Sequence, residues 1–407
     1  MFIKLQTFMN YAIALQRGNE NMNRKLLLIL FALIVILIAA ISYYGIKPSV
    51  KSETLPEIEL PQGFRIDSFA ENMGGSPVSY PGQNPGTRMM LLKDGVLFVT
   101  VPKMGRVVAL PDRNNDKKSD ETIIFIDNLN NPHGIDYYEG WFYIAEENRV
   151  IRVKDNDNNL IADRDIIEVL IDDLSAGGHS TRTLKIHNNS LFVSIGSSCN
   201  VCIEENERRA AILKCTLEGK DCKVFAKGLR NAVGMVIHPV TGQMYATENG
   251  RDYLGDDLPP DEVNLIREGK NYGWPICYGK NIHDTDFDKN VYIRNPCMEP
   301  YETQSLIDLQ AHSAPLGLAF YYGDNFPQEY RGDLFVAFHG SWNRKVPTGY
   351  KIISIDMNDY SVKDFATGWL NDSNVLGRPV DIIVADDGSL FVSDDNAGKI
   401  YRIFYGE

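Results

Sequence analysis

One pattern is repeated six times between Phe98 and Phe391. Each repeat has an apolar strand headed by a polar residue, a turn, a second strand with a central aromatic residue, and a third strand. The central aromatic residues are Phe98, Tyr143, Phe192, Tyr245, Phe335 and Phe391. The intervals between them are 45, 49, 53, 90 and 56 residues, and one blade of a β-propeller takes roughly 40 to 50 residues. The repeats therefore predict an all-β chain folded as a six-bladed β-propeller.

Two further segments complete the predicted ring. Gly63 to Ala70 alternates apolar and polar residues. We expect this strand to complete the last blade, because a ring closed by strands from both ends of the chain leaves no open edge. The 90-residue interval contains extra residues at 269–303, which are too polar and too broken for a seventh blade. They are predicted as an insertion in the fourth blade.

The residues that head the inner strands are expected to meet, because the first strand of every blade lines the central channel. They are Arg88, His133, Arg182, Asn231, Gly317 and Arg378, with His179, Arg230 and His312 just before such strands. The whole chain has a formal net charge of -13, so this local group of basic residues predicts a bound anion at the channel mouth. The same net charge argues against nucleic acid, or an anionic membrane surface, as the main partner.

The N-terminal region contains one apolar segment, Leu26 to Tyr44, that is uncharged and near the roughly 20 residues that a membrane helix needs. Basic residues are more frequent before it than after it, which favours a cytoplasmic N-terminus. With no clear cleavage site, an uncleaved anchor is favoured over a signal peptide. We expect a cytoplasmic segment (1–25), a transmembrane helix (26–44), a linker (45–62) and an extracytoplasmic propeller (63–407) on a single-pass cell-membrane protein.

All the cysteines lie in the predicted propeller: Cys199, Cys202, Cys215, Cys222, Cys277 and Cys297. An even number of cysteines on an exported domain predicts disulfides. Pairing of sequence neighbours is expected, that is 199 with 202, 215 with 222, and 277 with 297. A redox C-x-x-C pair, or a four-cysteine zinc site over 199–222, is the alternative. Ile203 stands where a c-type haem attachment needs histidine, so that pattern is absent.

Two motifs near the predicted mouth contain residues suited to catalysis and anion binding. His179 lies in G-G-H-S-T-R-T-L (177–184), and a histidine with a pKa near 6.5 is suited to general base catalysis. Arg230 and Asn231 lie in G-L-R-N-A-V-G-M (228–235), where the arginine fork suits a carboxylate and asparagine adds a neutral donor. The alternative interpretation is that these residues only brace loops through backbone hydrogen bonds.

Three loops are rich in oxygen ligands. The loop after Glu248 contains Asn249, Gly250 and Arg251, and then several aspartates. Two other loops place acidic or amide residues at positions 1, 3, 5 and 9: Asp112, Asn114, Asp116 and Asp120, and Asp155, Asp157, Asn159 and Asp163. Calcium takes six to eight oxygen ligands, so these loops are candidate structural calcium sites. Ordinary Asx-rich turns are the alternative.

Taken together and in order, the motifs resemble those of the quinoprotein glucose and sorbosone dehydrogenases. Besides the His179 and Arg230 motifs, they are E-N-G (248–250), D-E-V-N-L-I (261–266), N-Y-G-W-P (271–275), A-P-L-G (314–317), F-H-G-S-W-N-R (338–344) and G-R-P-V-D (377–381). The resemblance covers residues 63–405. It implies a six-bladed propeller that binds pyrroloquinoline quinone (PQQ), a tricarboxylate, together with calcium at the channel mouth.

The resemblance also implies roles for individual residues. His179 would take the hydroxyl proton of the substrate while hydride passes to the quinone. The carbonyl groups of Gly250 and Arg251 would bind calcium. The implied or candidate cofactor-binding residues are Arg182, Arg230, Asn231, His312, Arg344 and Arg378.

This chain departs from the family pattern at two of the implied positions. His312 stands where the glucose enzymes have a threonine, and Val380 where they have a second cofactor-binding arginine. Arg344, from the neighbouring blade, is the expected replacement for that cation.

The function predicted from these motifs is a membrane-anchored, PQQ-dependent oxidation of a sugar or related polyol, with an unknown electron acceptor. A calcium-dependent lactone hydrolase is an alternative, for which carboxylates should dominate the mouth. A non-catalytic extracellular binding propeller is the other alternative, and the histidine and arginine motifs argue against it.

Overall fold

The computed structural model describes residues 57–74 and 86–406. Within these residues the regular structure is β-strand, with three short 3-10 turns at Pro102–Met104, Arg164–Ile166 and Gln328–Tyr330. Six sheets form the blades, and two small hairpins lie outside them. The predicted six-bladed β-propeller is confirmed.

The strands follow the chain in blade order after β1 (Phe64–Ala70). The first blade contains β2 (Met90–Lys93), β3 (Val96–Val101), β4 (Arg106–Leu110) and β5 (Ile123–Ile126). The second contains β6 (Ile135–Tyr138), β7 (Trp141–Ala145), β8 (Val150–Val153) and β9 (Glu168–Ile171). The third contains β10 (Leu184–His187), β11 (Ser190–Ile195), β12 (Ala211–Thr216) and β13 (Lys223–Lys227).

The later blades include the insertion and the ring closure. The fourth begins with β14 (Met235–Ile237), β15 (Met244–Glu248) and β16 (Asp261–Ile266). Then come β17 (Lys270–Asn271), which pairs with β13, and the hairpin of β18 (Cys277–Tyr278) and β19 (Ile282–His283). The fourth blade ends with β20 (Ile307–Leu309). The fifth contains β21 (Pro315–Phe320), β22 (Leu334–Phe338), β23 (Lys351–Ile355) and β24 (Val362–Ala366). A hairpin of β25 (Leu370–Asn371) and β26 (Asn374–Val375) follows the fifth blade. The sixth blade contains β27 (Pro379–Val384), β28 (Leu390–Asp394) and β29 (Lys399–Tyr405).

The sixth blade has the predicted β1 as its outer strand, and each of the other five blades has a fourth, outer strand that the repeat pattern did not predict. These strands are half exposed: Val169 on β9 and Val362 on β24 keep 50% and 45% of their surface. Their apolar pattern is therefore weaker than that of the inner strands, which are packed on both faces. The central aromatic residues lie on the second strand of each blade, as predicted.

The ring is closed by the two ends of the domain. β1 pairs antiparallel with β29, and Phe64 lies opposite Tyr405. The prediction that Gly63 to Ala70 completes the last blade is confirmed. Phe64 packs edge-to-face against Phe326 and Phe365, with ring centroids 4.7 and 5.0 Å away, so the closing strand is held by side chains as well as by the ladder.

The inner strands approach each other closely around the channel axis. Each contacts the inner strand of the next blade, in the order β2, β6, β10, β14, β21, β27 and back to β2. A Cβ at Gly134 would lie 2.6 Å from the backbone nitrogen of Leu184, and one at Gly234 would overlap the carbonyl oxygen of Leu316. Glycine is needed here because the neighbouring backbone occupies the space of a side chain.

The three predicted disulfides are confirmed: Cys199–Cys202, Cys215–Cys222 and Cys277–Cys297. With all six sulfur atoms in disulfides, no thiolate remains for the alternative zinc site. The Cys277–Cys297 bridge lies in the insertion of the fourth blade, where no seventh blade forms between residues 269 and 303.

Most of the predicted N-terminal organisation lies outside the described residues. The segment 1–25, the predicted anchor 26–44 and residues 45–56 of the linker belong to this part. Among the residues that are described, no helix has the length and apolar character needed to cross a membrane. Residues 57–62, predicted as linker, contact the propeller through a bridge between Glu59 and Thr367, with N to O distances of 2.9 and 3.0 Å.

Replacing Phe64 with alanine should destabilise the domain by about 3–5 kcal/mol, because it empties a buried aromatic site at the ring closure. Urea unfolding followed by circular dichroism measures the loss. Val362→Ala, on an exposed outer strand, is the control and should stay within about 0.5 kcal/mol of the unmodified protein. Equal losses for the two variants would show that the closing strand carries no special share of the stability.

Candidate active site

A cavity of about 500 Å³ opens at one end of the channel. Its wall comes from loops that precede the inner strands or follow the second strands of five blades. The structure brings together these predicted residues: Arg88, His179, Arg230, Asn231, Gly250, His312 and Arg378. The predicted convergence at one mouth is therefore observed for three of the six strand-head residues, Arg88, Asn231 and Arg378, and for the three basic residues just before such strands.

His179 lies on the loop before β10, and Ser197, from the loop after β11, holds its ring. Nδ1 of His179 is 3.1 Å from the carbonyl oxygen of Ser197 and 2.9 Å from its Oγ. Because a carbonyl oxygen only accepts hydrogen bonds, Nδ1 carries the proton of the neutral imidazole. Nε2 therefore has a free lone pair, and it makes no hydrogen bond within the described part of the chain.

The surroundings keep His179 uncharged. Burial, and then the positive charge of Arg230, lower the pKa of His179 to about 3. Gly196 lies against the ring, where a Cβ would be 2.5 Å from the Cβ of His179. The side chain is thus a neutral, closely packed base whose Nε2 is able to accept a proton.

Arg230 is buried beside His179 and is held on every side. Nε and Nη2 donate to the carbonyl oxygen and Oδ1 of Asn200, both at 2.9 Å. Nη1 donates to the carbonyl oxygen of Asn249 at 3.1 Å, and Nη2 pairs with Asp252 at 3.0 Å. The guanidinium therefore connects the loops after β11 and β15, and Asp252 neutralises its charge.

A chain of four polar side chains crosses from the first blade to the sixth. Asp395 accepts from Nη1 of Arg88 at 2.7 Å and from Nε2 of His339 at 2.9 Å. Nδ1 of His339 is then the acceptor for Nη1 of Arg378 at 3.4 Å. Burial by itself raises the pKa of Asp395, but its electrostatic interactions and hydrogen bonds with His339 and Arg88 lower it to about 2.

Arg378 differs from the other arginines of the cavity wall. Its Nη1 donates to the carbonyl oxygen of Gly340 at 3.2 Å, and its guanidinium lies over the ring of Tyr350, 4.9 Å from the centroid. Among the described residues no carboxylate pairs with its side chain. Arg378 is thus the uncompensated positive charge of the mouth.

The loop after β15 carries the residues implied as calcium ligands. The amide of Gly250 donates to Asp261 at 2.9 Å, while the carbonyl oxygens of Gly250 and Arg251 accept no hydrogen bond from the described residues. The side chain of Arg251 pairs instead with Asp284 and Asp286, both at 2.9 Å. Burial raises the pKa of Asp261 to about 7. Two free carbonyl groups beside buried carboxylates are the kind of ligands that calcium takes.

Two other predicted residues of the wall have different surroundings. The side-chain amide of Asn231 makes no hydrogen bond within the described residues, whereas its backbone nitrogen donates to Glu248 at 3.2 Å. Nε2 of His312 donates to the carbonyl oxygens of Gly255 and Leu258 at 2.7 and 3.1 Å. His312 therefore holds the loop after β15, and Asn231 keeps free donors and an acceptor.

Some predicted residues lie outside the cavity wall. Arg182 is completely buried and donates to the carbonyl oxygens of His179 and Thr181, at 2.7 and 2.8 Å. Arg344 pairs with Asp257 at 2.8 Å. His133 and Gly317 are not among the residues that line the cavity.

Val380 has the environment of a core residue. It stands where the resemblance places a second cofactor-binding arginine, and it is fully buried in an apolar cluster with Val233 and Leu316.

The two candidate calcium loops are near copies of each other. Asp112 accepts from the amides of Asp116 and Lys117 at 3.1 and 3.0 Å. Asp155 accepts from those of Asn159 and Leu160 at the same distances. The first carboxylate of each loop is therefore used in an Asx-type turn, and structural calcium at these positions stays a prediction.

Several residues of the site were not predicted from the sequence: Ser197, Asn200, Asp252, His339, Trp342 and Asp395. His339 and Trp342 lie within the F-H-G-S-W-N-R motif, which did signal them as a group. Trp342 is half exposed and packs edge-to-face with Tyr253, with centroids 5.9 Å apart. Asp395 carried no local signal, because its partner Arg88 is 307 residues away in the sequence.

Replacing Asp395 with asparagine should destabilise the protein by about 3–5 kcal/mol at pH 7, because it leaves Arg88 buried without a counter-charge. With a folded pKa of about 2 and an unfolded value of about 3.9, this contribution is present at neutral pH. It disappears as the pH falls from about 4 towards 2. Urea unfolding at pH 7 and at pH 3 measures both effects.

Asp324→Asn is the control for that prediction. It breaks the exposed pair with Arg331, whose atoms are 3.2 Å apart, and exposed pairs contribute about 0–1 kcal/mol. Similar losses for the two variants would contradict the view that the Asp395 pair differs in kind from a surface pair.

Comparisons with known proteins agree with this fold. The TrAA12-like family model matches residues 86–405. A Borreliella burgdorferi protein of uncharacterised function is 34% identical over 371 residues, which cover 87% of this chain and 92% of that protein. The PQQ-dependent pyranose dehydrogenase of Coprinopsis cinerea is 26% identical over 293 residues, covering 55% of this chain and only 39% of the enzyme.

A solved structure shows the same fold. The calcium structure of the Trichoderma reesei family AA12 carbohydrate-active enzyme superposes with a TM-score of 0.71 at 22% identity, covering 87% of this chain and 98% of that one. The family match spans nearly the whole propeller and confirms the resemblance drawn from the motifs. The chain belongs to the TrAA12-like family of quinoprotein sugar dehydrogenases.

Proposed function

We propose that this protein is a PQQ- and calcium-dependent dehydrogenase that oxidises a hydroxyl group of a sugar or a related polyol. The observation that carries the proposal is the tautomer of His179, which leaves Nε2 free in the same cavity as the unpaired Arg378. The name of the Coprinopsis cinerea relative, PQQ-dependent pyranose dehydrogenase, supports the cofactor and the class of substrate.

The free polar groups of the cavity fit a planar tricarboxylate. Arg378 offers a fork without a carboxylate partner, and charge-assisted bonds to carboxylates are among the stronger hydrogen bonds. Asn231 adds an unused amide, and Arg230 supplies positive charge next to it. The volume of about 500 Å³ lies within the roughly 300–1,000 Å³ typical of ligand pockets. The loss of the second family arginine at Val380 leaves Arg378 as the main anchor.

Calcium would be held by the carbonyl oxygens of Gly250 and Arg251, with Asp252 and Asp261 nearby. These carbonyl groups have no other donor among the described residues, and Gly250 lines the cavity. The calcium structure of the Trichoderma reesei neighbour supports the choice of metal.

Within this site PQQ would supply a quinone carbon able to accept hydride. His179 would take the hydroxyl proton of the substrate on Nε2, because Ser197 keeps the ring proton on Nδ1. The low pKa of His179 keeps the ring neutral at pH 7, so the lone pair of Nε2 carries no proton before the substrate binds. Trp342 and Tyr253, half exposed or more at the rim, offer apolar surface to the carbon-bound hydrogens of a sugar ring.

The alternatives are less well supported. A calcium-dependent lactone hydrolase needs carboxylates free to bind the metal, but Asp252 pairs with Arg230 and Asp261 accepts from two backbone amides. A binding propeller has no need for a neutral histidine with its proton fixed on the buried nitrogen. A dehydrogenase accounts both for the paired carboxylates and for the neutral histidine with a free Nε2.

We also propose that the propeller works outside the cytoplasm, attached to the cell membrane by the apolar segment 26–44. Disulfides persist mainly in oxidising compartments, and all six cysteines of this chain are paired. This supports export and is independent of the N-terminal sequence.

Replacing Arg378 with alanine should weaken PQQ binding at least about tenfold, since a charge-assisted bond in a partly buried site contributes about 1.5–3 kcal/mol. Fluorescence titration of the apo-protein with PQQ in the presence of calcium measures the dissociation constant. Arg331→Ala removes an exposed arginine and should leave that constant unchanged. An unaltered titration curve for the Arg378 variant would place the cofactor elsewhere.

Replacing His179 with alanine should lower turnover by about 10² to 10⁴, the usual contribution of a general base, while PQQ still binds. The assay is dye reduction by the reconstituted protein with an aldose that the unmodified protein oxidises. His187→Ala, at the far end of β10, is the matched control and should keep full activity. Retention of more than about a tenth of the turnover by the His179 variant would assign this histidine to loop bracing.

A further inference from the structure

The loop after β11, residues 197–204, contains no regular secondary structure and lines the cavity through Ser198, Cys199 and Asn200. Two kinds of internal link hold this loop. The disulfide joins Cys199 to Cys202, three residues apart in the sequence, and Glu204 accepts from the amide and the Oγ of Ser198 at 2.5 and 2.8 Å. The disulfide and these two hydrogen bonds therefore restrain a segment that has no strand pairing.

One end of this loop sets the proton position of His179. Ser197 Oγ donates to the carbonyl oxygen of Cys199 at 2.6 Å, so its proton is used and the oxygen is left to accept from Nδ1 of His179. The carbonyl oxygen of Ser197 also faces Nδ1. Both acceptors keep the proton on Nδ1, and the first of them depends on the position of Cys199.

The middle of the same loop holds Arg230. Asn200 accepts from Nε through its carbonyl oxygen and from Nη2 through Oδ1. Its amide group also bonds both ways with the backbone of Asp252, at 2.8 and 3.1 Å, and Asp252 is the ion-pair partner of Arg230. Asn200, between the two cysteines, therefore ties the arginine and its counter-charge to the disulfide ring.

We propose that the Cys199–Cys202 disulfide is a positioning device for the active site, which fixes His179 through Ser197 and Arg230 through Asn200. The inference rests on the proposed function for its catalytic meaning. In the chain-entropy account the stabilisation from a disulfide grows with the length of the loop that it closes, so a ring of this size contributes comparatively little to global stability. Its effect is local, on the two residues that the loop touches.

The Cys215–Cys222 bridge is the matched comparison. Cys215 lies opposite Leu191 at the start of β11, whereas the 197–204 loop follows the end of that strand. Neither cysteine lines the cavity. Removing it changes a disulfide of the same blade without touching His179 or Arg230.

The test compares C199S/C202S with C215S/C222S in the otherwise complete protein. The first measurement is the tautomer of His179 in the apo-protein, from imidazole ¹⁵N chemical shifts assigned with a His179→Ala variant. The second is the dissociation constant for PQQ with calcium. We expect C199S/C202S to populate both tautomers and to weaken PQQ binding at least about tenfold, while C215S/C222S keeps the single Nδ1–H tautomer and the original affinity.

An unchanged tautomer and affinity in C199S/C202S, or equal changes in both variants, would overturn the inference. If C199S/C202S does not fold, Asn200→Ala keeps all the disulfides and tests the Arg230 arm by affinity, and Ser197→Ala tests the His179 arm by tautomer. Failure of the unmodified protein to bind PQQ would instead contradict the proposed function, and the tautomer in the apo-protein would still decide the positioning role.

Discussion

The close approach of the six inner strands around the channel axis is the constraint on which the site depends. Each inner strand contacts the next, and glycines such as Gly134 and Gly234 allow backbone to meet backbone. The loops above these strands are then brought within the reach of single hydrogen bonds. His179, Arg230, His312 and Arg378 come from separate loops, yet they line one cavity. No single blade positions these residues. Their relative positions depend on the closure of the whole ring.

Most of the arginines at or near this mouth are neutralised by carboxylates, so its net positive charge is smaller than the number of arginines indicates. Arg88 and Arg230 both have buried or partly buried carboxylate partners, and Arg344 has an exposed one. Such pairs avoid the large cost of a buried, uncompensated charge, and they orient the guanidinium groups. Only Arg378, among the arginines of the described cavity wall, keeps its full charge for a ligand. The acidic composition of the chain and an anion site are therefore compatible.

The fold could be predicted further than the site. The spacing of the repeats and their central aromatic residues predicted the six blades. The alternation of apolar and polar residues at Gly63 to Ala70 predicted the closure of the ring. Both predictions use patterns that are local in the sequence. The outer strands of the first five blades escaped prediction because half-exposed strands such as β9 keep little apolar alternation. In the site, His179 and Arg230 were indicated by their motifs. Their partners were not, since Ser197 and Asn200 are common loop residues whose role depends only on what the fold brings near them.

The pairing of β1 with β29 has a consequence for the order of events during biosynthesis. The closing partner of the first strand is the last strand of the domain, and Asp395, just before it, completes the contact with Arg88. A growing chain has therefore made five blades, including both the histidine and the arginine loops, before the ring can close. The cavity reaches its final shape only when the last strand of the domain is available, so a ligand that needs the complete mouth binds only after the whole domain has been synthesised.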